Sequence, residues 1–118
     1  MALGATMRSI IIGLIGVLPF IASPVLAADA ATQEANKKAV LEFYDGFLRE
    51  KFPDSRSEIK RAFADGDYVI LHVHSVREKG TRGRAIVDIF RLENGKIVEH
   101  WDVVQEIPEK AANTNGMF

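Results

Sequence analysis

Residues 68–105, YVILHVHSVREKGTRGRAIVDIFRLENGKIVEHWDVVQ, decide the fold of this chain. The stretch contains three segments rich in β-branched and aromatic residues, Tyr68–Arg77, Gly83–Glu93 and Lys96–Gln105, which predict three strands. Between the last two stands Asn94-Gly95, the dipeptide typical of a two-residue type I′ turn. The sequence therefore predicts consecutive antiparallel strands, the last two joined as a tight hairpin.

The turns predict which side chains share a face of the sheet. If Glu93 pairs with Lys96, Asp88 lies opposite Trp101, and a symmetric longer loop places His72 opposite Asp88. Since side chains alternate between faces, one face gathers a carboxylate, imidazoles and aromatic rings: Tyr68, His72, His74, Asp88, Phe90 and Trp101. This mixture is typical of a small-molecule pocket. A one-residue slip in the longer loop would move both histidines to the other face.

The other face is mostly aliphatic, with Val69, Leu71, Val73, Val87, Ile89, Val98 and Val104 beside His100 and Asp102. We expect it to meet another sheet or a second subunit, so a homodimer is predicted. On this interpretation His100 and Asp102 lie at the subunit contact or in solvent.

A helix precedes the sheet. Its apolar residues recur at helical spacing: Val40, Phe43, Tyr44, Phe47 and Leu48. Pro53 ends it, because the residue before a proline disfavours helical geometry, and residues 29–34 read as a frayed lead-in. Residues 57–64 form a first, edge strand. The predicted fold is α+β, with an N-terminal helix packed on a curved antiparallel sheet of about four strands.

The first 28 residues have the order of a secretory signal peptide. Arg8 is followed by an apolar run, 10–21, and then by small residues that end at Ala28. We expect a mature domain at residues 29–118 and a periplasmic or secreted location, free of the membrane after cleavage. An uncleaved N-terminal anchor is the alternative.

Composition excludes several kinds of chemistry. The 118 residues contain no cysteine, which excludes a disulfide framework, a thiol nucleophile and a lipid-modified cysteine. The formal net charge is -1, so the balance of charges does not indicate a nucleic-acid surface.

Asp88 is the best candidate for acid/base chemistry. A carboxylate in mid-strand beside aromatic rings is partly shielded from water, and proton transfer uses such groups. His72 opposite would orient it or share its proton, while Trp101, His74, Phe90 and Tyr68 would contact the substrate. The alternative is a structural Asp–His pair without catalytic use.

A metal site is a further alternative. Gly66, His72, His74 and Glu78 match most of the first cupin metal motif, and two histidines two residues apart on one strand can bind one metal ion. However, Ala85 stands where the motif closes with glycine, and the second cupin motif is absent. We therefore expect neither a metal nor another cofactor.

Residues 87–103, VDIFRLENGKIVEHWDV, closely resemble the end of SnoaL-like proteins of the nuclear transport factor two-like superfamily. Residues 65–69 and 72–75 resemble the preceding strand of that family, and the helix at 36–45 resembles its first helix. One departure is clear, because a segment of the family's pattern between the first helix and the sheet is missing.

The resemblance implies an α+β cone, in which a curved sheet wraps a small-molecule pocket and helices close it. It also implies dimerisation through the sheet and, for active members, cofactor-independent acid/base catalysis of the cyclase, isomerase or aldol type. Asp88 occupies the position of the family's pocket carboxylate. The missing segment would remove the lid and one wall of the cone.

Overall fold

The computed structural model describes residues 29–118, which form one helix and one antiparallel sheet. Helix α1 spans Ala30–Lys51 and is followed by β1 (Glu58–Asp65), β2 (Tyr68–Ser75), β3 (Arg84–Glu93) and β4 (Lys96–Glu106). The strands lie in the order β1-β2-β3-β4. The predicted α+β architecture is confirmed, whereas the predicted signal peptide lies outside the described residues.

Helix α1 begins earlier than its apolar pattern indicates. Asp29 is the N-cap, and its carboxylate accepts a 2.7 Å hydrogen bond from the backbone N–H of Thr32. The helix therefore includes the residues that we expected to fray. Phe52 closes the other end through a backbone bond to the Leu48 carbonyl, just before Pro53. In residues 29–118, no helix is sufficiently long and apolar to cross a bilayer.

The core lies between α1 and one face of the sheet, which we call the helix side. Val40 and Tyr44 of the helix meet a layer of buried strand residues: Val69, Leu71, Val73, Ile86, Phe90 and Leu92. The helix packs mostly on β1 and β2. The aliphatic residues of β2 that we expected at a subunit contact are therefore core residues, and the opposite face of the sheet is the open one.

The pairing of β2 with β3 differs by one residue from the predicted register. His72 lies opposite Val87, and Leu71 lies opposite Asp88. The ladder closes at the pair Ser75–Arg84, beside Gly83, whose φ of +73° favours glycine. A Cβ atom at this glycine would lie 2.4 Å from the Ser75 carbonyl oxygen. This close approach explains why the loop is not symmetric.

The hairpin of β3 and β4 starts in the predicted register and then leaves it. Glu93 pairs with Lys96 across Asn94-Gly95, both with positive φ, as a type I′ turn requires. Next, Leu92 pairs with Ile97 but Arg91 with Glu99, so Val98 is an extra, bulged residue. Beyond the bulge every side chain of β4 changes face relative to β3, and Asp88 lies opposite Asp102 instead of Trp101.

Candidate functional site

The site is built around a hydrogen bond between neighbouring strands on the helix side. His100 Nε2 donates to Asp88 Oδ1 at 2.8 Å. Asp88 is only 3 % exposed. The imidazole also stacks on Phe90, with ring centroids 4.5 Å apart and planes at 11°. Phe90 and the carboxylate together fix the orientation of His100.

The second oxygen of Asp88 has no such bond. Within the described residues, Oδ2 is buried and has no hydrogen-bond partner. Buried polar atoms are almost always paired, and an unpaired one is costly. A donor from a neighbouring element of the fold is therefore expected beside it.

Tyr44 brings a hydroxyl to the same place from α1. Burial of Tyr44 raises its pKa, and the negative charge of Asp88 raises it further. The hydroxyl therefore stays protonated at neutral pH and can donate. The charges of Arg77 and Asp102 also act on this pKa, in opposite directions.

Solvent reaches this group of residues from the β4 side. The side chain of His100 is 44 % exposed. Its second ring nitrogen, Nδ1, has no hydrogen-bond partner among residues 29–118. This second nitrogen is therefore available to a ligand, while the buried carboxylate holds the other nitrogen.

A cleft of about 530 Å³ opens beside the pair. Its wall includes Ile86, Asp102 and Val104 of the helix side, and its rim is the loop between β2 and β3 with Arg77 and Arg82. Asp88 and His100 do not line this cleft. A ligand there would approach the pair past Asp102, since Asp102 lies opposite Asp88.

The charges of the cleft are only partly balanced. Arg84 Nε donates to Glu106 at 2.6 Å, so these two compensate each other. Arg77 lies instead over the ring of Phe52, 4.4 Å from its centroid, and has no carboxylate partner among the described residues. Its guanidinium is free to meet a negative oxygen of a ligand.

The structure does not assemble the predicted group of Asp88, His72 and Trp101. Trp101 and Tyr68 lie on the open face and are 47 % and 43 % exposed. His72 and His74 lie there too, whereas Asp88 and Phe90 lie on the helix side. The predicted juxtaposition is wrong, because Asp88 and Trp101 lie on opposite faces of the sheet.

The two histidines of β2 have other partners. His72 Nδ1 accepts from Arg61 at 3.0 Å, and His74 Nε2 donates to the Arg82 carbonyl at 2.7 Å. Both rings also pack on Phe118, with centroids 5.3 Å and 4.7 Å away. In residues 29–118, no three histidine, aspartate or glutamate side chains are grouped so that they could hold a metal ion, and this includes the cupin-like residues.

His100 and Tyr44 are the residues that sequence reasoning missed. The predicted register put His100 on the face away from Asp88, and the helical pattern gave Tyr44 only a place in the core. A polar hydroxyl on an otherwise apolar helix stripe was the available signal for Tyr44. For His100 the signal depends on the bulge, which the pattern of apolar residues does not reveal.

The fold and site define a small α+β domain of the nuclear transport factor two-like class, whose helix-side face suits small-molecule binding. The sequence model of a family described as a SnoaL-like domain matches residues 16–100, more than half of the chain. The chain therefore belongs to the SnoaL-like family. No curated protein matches the chain significantly.

Proposed function

We propose that this protein binds a small carbonyl compound beside β4 and catalyses proton transfer with the Asp88–His100 pair. Membership of a small-molecule-binding family supports the first part. The second part depends on one observation: a buried carboxylate holds one nitrogen of a half-exposed imidazole whose other nitrogen has no hydrogen-bond partner among the described residues. The partner of Asp88 is thus His100, in the role that the sequence assigned to His72.

The chemistry follows from the tautomer. With Nε2–H donating to the Asp88 carboxylate, Nδ1 carries a lone pair and is the base. It takes a proton from the carbon next to a carbonyl group, and the electrons of that C–H bond move to the carbonyl oxygen as an enolate. The imidazolium formed is stabilised by Asp88, and it returns the proton to the same or a neighbouring carbon. Isomerisation, cyclisation and aldol reactions share the abstraction of the α-proton, and this step needs no cofactor.

Arg77 is the candidate group for the enolate oxygen, because its charge is not paired with a carboxylate and it lines the cleft. A guanidinium that meets an oxyanion away from bulk water stabilises the developing charge. Tyr44, protonated at neutral pH, would keep its place beside the buried oxygen of Asp88.

Deuterium exchange tests the proposal without knowledge of the natural substrate. The protein would be incubated in D₂O with a panel of small linear and cyclic ketones, and NMR would follow loss of the α-proton signals. We expect exchange above the buffer rate for at least one cyclic ketone. His100→Gln should abolish it, and Asp88→Asn should reduce it by about two orders of magnitude.

His72→Gln is the matched control, since it removes an imidazole from the open face of the same sheet. It should leave the exchange rate unchanged. Loss of exchange in His72→Gln with retention in His100→Gln would contradict the assignment, and so would full activity of Asp88→Asn.

A binding protein without catalysis is the second candidate. It is favoured by the separation between the cleft lining and the Asp88–His100 pair, because a ligand could fill the cleft without touching either residue. In that case a ketone that shifts the NMR signals of Ile86 and Val104 would bind equally well to the wild type and to Asp88→Asn, with no deuterium exchange in either.

We also propose that the protein is exported, on the basis of the signal-like order of residues 1–28. Expression in a Gram-negative host and mass spectrometry of the periplasmic fraction test this. A chain that begins at Ala28 or Asp29 is expected. Retention of the intact chain in the membrane fraction would support the uncleaved anchor instead.

A further inference from the structure

Strand β4 ends the sheet with a long unpaired edge. Among residues 29–118 it pairs only with β3, and all of its residues except Ile97 are exposed. Four large apolar side chains on it face solvent: Val98, Trp101, Val103 and Val104. Edge strands offer a row of free N–H and C=O groups to another strand.

Both edges of the sheet carry charged residues, but β1 exposes one large apolar side chain, Phe63, where β4 exposes four, and the irregularities of the two strands lie in different places. Strand β1 has an irregularity between Ile59 and Arg61, and it carries the charges of Glu58 and Lys60. Bulges and charges of this kind discourage pairing. In β4 the single bulge lies near the turn, at Val98, and the following residues through Glu106 pair regularly with β3.

We propose that the β4 edges of two copies of this chain pair antiparallel, about a two-fold axis through Trp101, and that the second copy contributes Asp102 to the site of the first. The effect on catalysis rests on the function proposed above, whereas the assembly itself does not. The product would be one continuous sheet with both helices on the same side.

The residues on the two faces select this register. A two-fold axis normal to the sheet keeps each face on its own side, so opposed residues must share a face. With Trp101 on the axis, the two indoles meet on the open face, and on the helix side each His100 faces Asp102 of the other copy. Aromatic and His–Asp pairs across strands are stabilising.

The neighbouring registers lack this complementarity. An axis at Asp102 would oppose two carboxylates on the helix side. An axis at His100 would oppose two imidazoles, and it would place Asp102 opposite the bulged Val98 of the other copy. Two carboxylates directly opposed across strands are destabilising, and two opposed imidazoles lack the His–Asp pair, so the register centred on Trp101 is favoured over both.

Two copies could instead pack open face to open face, but the chain itself obstructs that arrangement. Residues 116–118 lie across the open face, where Phe118 stacks on His72 and His74. Lys60 lies over the same Phe118 ring, 5.7 Å from its centroid. The outer edge of β4 has no such cover among the described residues.

The functional consequence concerns His100. Its Nε2 is already held by Asp88 of its own chain. In the paired sheet a second carboxylate, from the other copy, stands across the strand boundary from the same imidazole. The carboxylate of the other copy would then add to the stabilisation of the imidazolium that forms when Nδ1 takes up a proton.

Cysteine crosslinking tests the geometry, because the chain has no cysteine of its own. A residue on the axis faces itself, with Cα atoms about 4.5–5.5 Å apart, a distance that suits a disulfide. We expect Trp101→Cys to form a covalent dimer under mild oxidation. Phe63→Cys, exposed on the open face of β1, should stay monomeric on denaturing gels. Dimers of Phe63→Cys, or none of Trp101→Cys, would overturn the proposal.

Charge at the axis gives a second test by sedimentation velocity. Trp101→Glu and Trp101→Lys each oppose like charges, so each alone should dimerise at least about tenfold more weakly than wild type. An equimolar mixture should recover the dimer, because glutamate then faces lysine. Circular dichroism checks that both variants fold. A mixture that stays monomeric, or single variants as dimeric as wild type, would contradict pairing at Trp101.

The two proposals fail separately. Crosslinking without deuterium exchange would leave the assembly intact and remove the catalytic role. Exchange in a chain that sediments as a monomer at all concentrations would do the opposite.

Discussion

Strands β2 and β4 show what the single helix does and does not protect. Val73 of β2 and Val104 of β4 are the same residue type on the same face of the sheet, yet Val73 is fully buried and Val104 is 48 % exposed. Both belong to strands rich in β-branched residues. Local β-propensity therefore does not explain the difference in burial between the two valines. The position of the helix explains it.

The reason is geometric. A helix with its side chains is about 10 Å wide, and strands lie about 4.8 Å apart, so one helix covers about two strands. Here α1 lies mainly over β1 and β2. In a four-stranded sheet this leaves β4 uncovered beyond Ile97, which packs against the core, whereas the family resemblance implies that further segments would close the cone.

The reactive pair lies on the boundary between these regions. Asp88 belongs to the covered part and His100 to the uncovered part, and their hydrogen bond crosses from one to the other. A carboxylate shielded from water and an imidazole open to ligands are thereby joined in one unit. The comparison of β2 with β4 thus explains the site as well as the core.

A matched pair of valine truncations tests the comparison most directly. Val73→Ala should lower the free energy of unfolding by about 2 kcal/mol, because it leaves a cavity beneath α1. Val104→Ala should change it by less than about 0.5 kcal/mol, as is usual for exposed positions. Urea titration followed by circular dichroism measures both. Equal losses in the two variants would mean that β4 is covered in solution.

The elements of this fold could be predicted from the sequence, but the faces of the sheet could not. Asn94-Gly95 located the hairpin, and Pro53 located the helix end. The assignment of faces failed at β3, because both faces of this strand carry apolar residues: Ile86, Val87, Ile89 and Phe90. With no alternation to read, the register depended entirely on counting residues through the turns.

Two register shifts of one residue each, one on either side of β3, reverse the faces of the β3 side chains alone. Those of β2 and β4 keep the faces that were predicted. The loop closed by Gly83 changed the pairing with β2, and the bulge at Val98 changed the pairing with β4. His72 and Trp101 still share a face, as predicted, but Asp88 lies on the other one. A bulge depends on how two strands twist together. This twist cannot be predicted from the sequence of either strand alone.

A smaller loss of stability is expected from a change at Tyr44, which lies at the boundary between the covered and uncovered parts of the sheet. Tyr44→Phe should cost about 1 kcal/mol at neutral pH, because it removes the hydroxyl beside the buried Asp88 carboxylate. Urea titration at pH 7 measures this loss. Tyr68→Phe, on the open face, is the control and should be nearly neutral. Equal losses in both would show that the hydroxyl of Tyr44 does not interact with the pair.

Tyr44→Phe should also change how the stability of the protein depends on pH. Burial and Asp88 raise the pKa of Tyr44 above its ordinary value of 10.0, so the unfolded chain ionises first as the pH rises. The stability due to this group is complete below pH 10 and declines above it. Between about pH 8 and pH 11, the wild type should lose more stability than Tyr44→Phe. Parallel curves for the two proteins would contradict the burial of this hydroxyl.

The smallest expected effect concerns the start of the covering helix. The backbone N–H of Thr32 lowers the pKa of Asp29 below 3.8. The unfolded chain therefore takes up the proton first as the pH falls. The capping stability is present above pH 3.8 and is lost as the pH falls through the lowered value in the folded state. Asn also caps helices but does not titrate, so Asp29→Asn should abolish this part of the acid dependence.

Circular dichroism at 222 nm, in urea near the midpoint, measures this difference between pH 5 and about pH 2. Because the N-cap only stabilises the first turn, the covered core around Val73 should respond equally in both proteins. If Asp29→Asn loses helix over the same pH range as the wild type, the acid sensitivity belongs to another carboxylate.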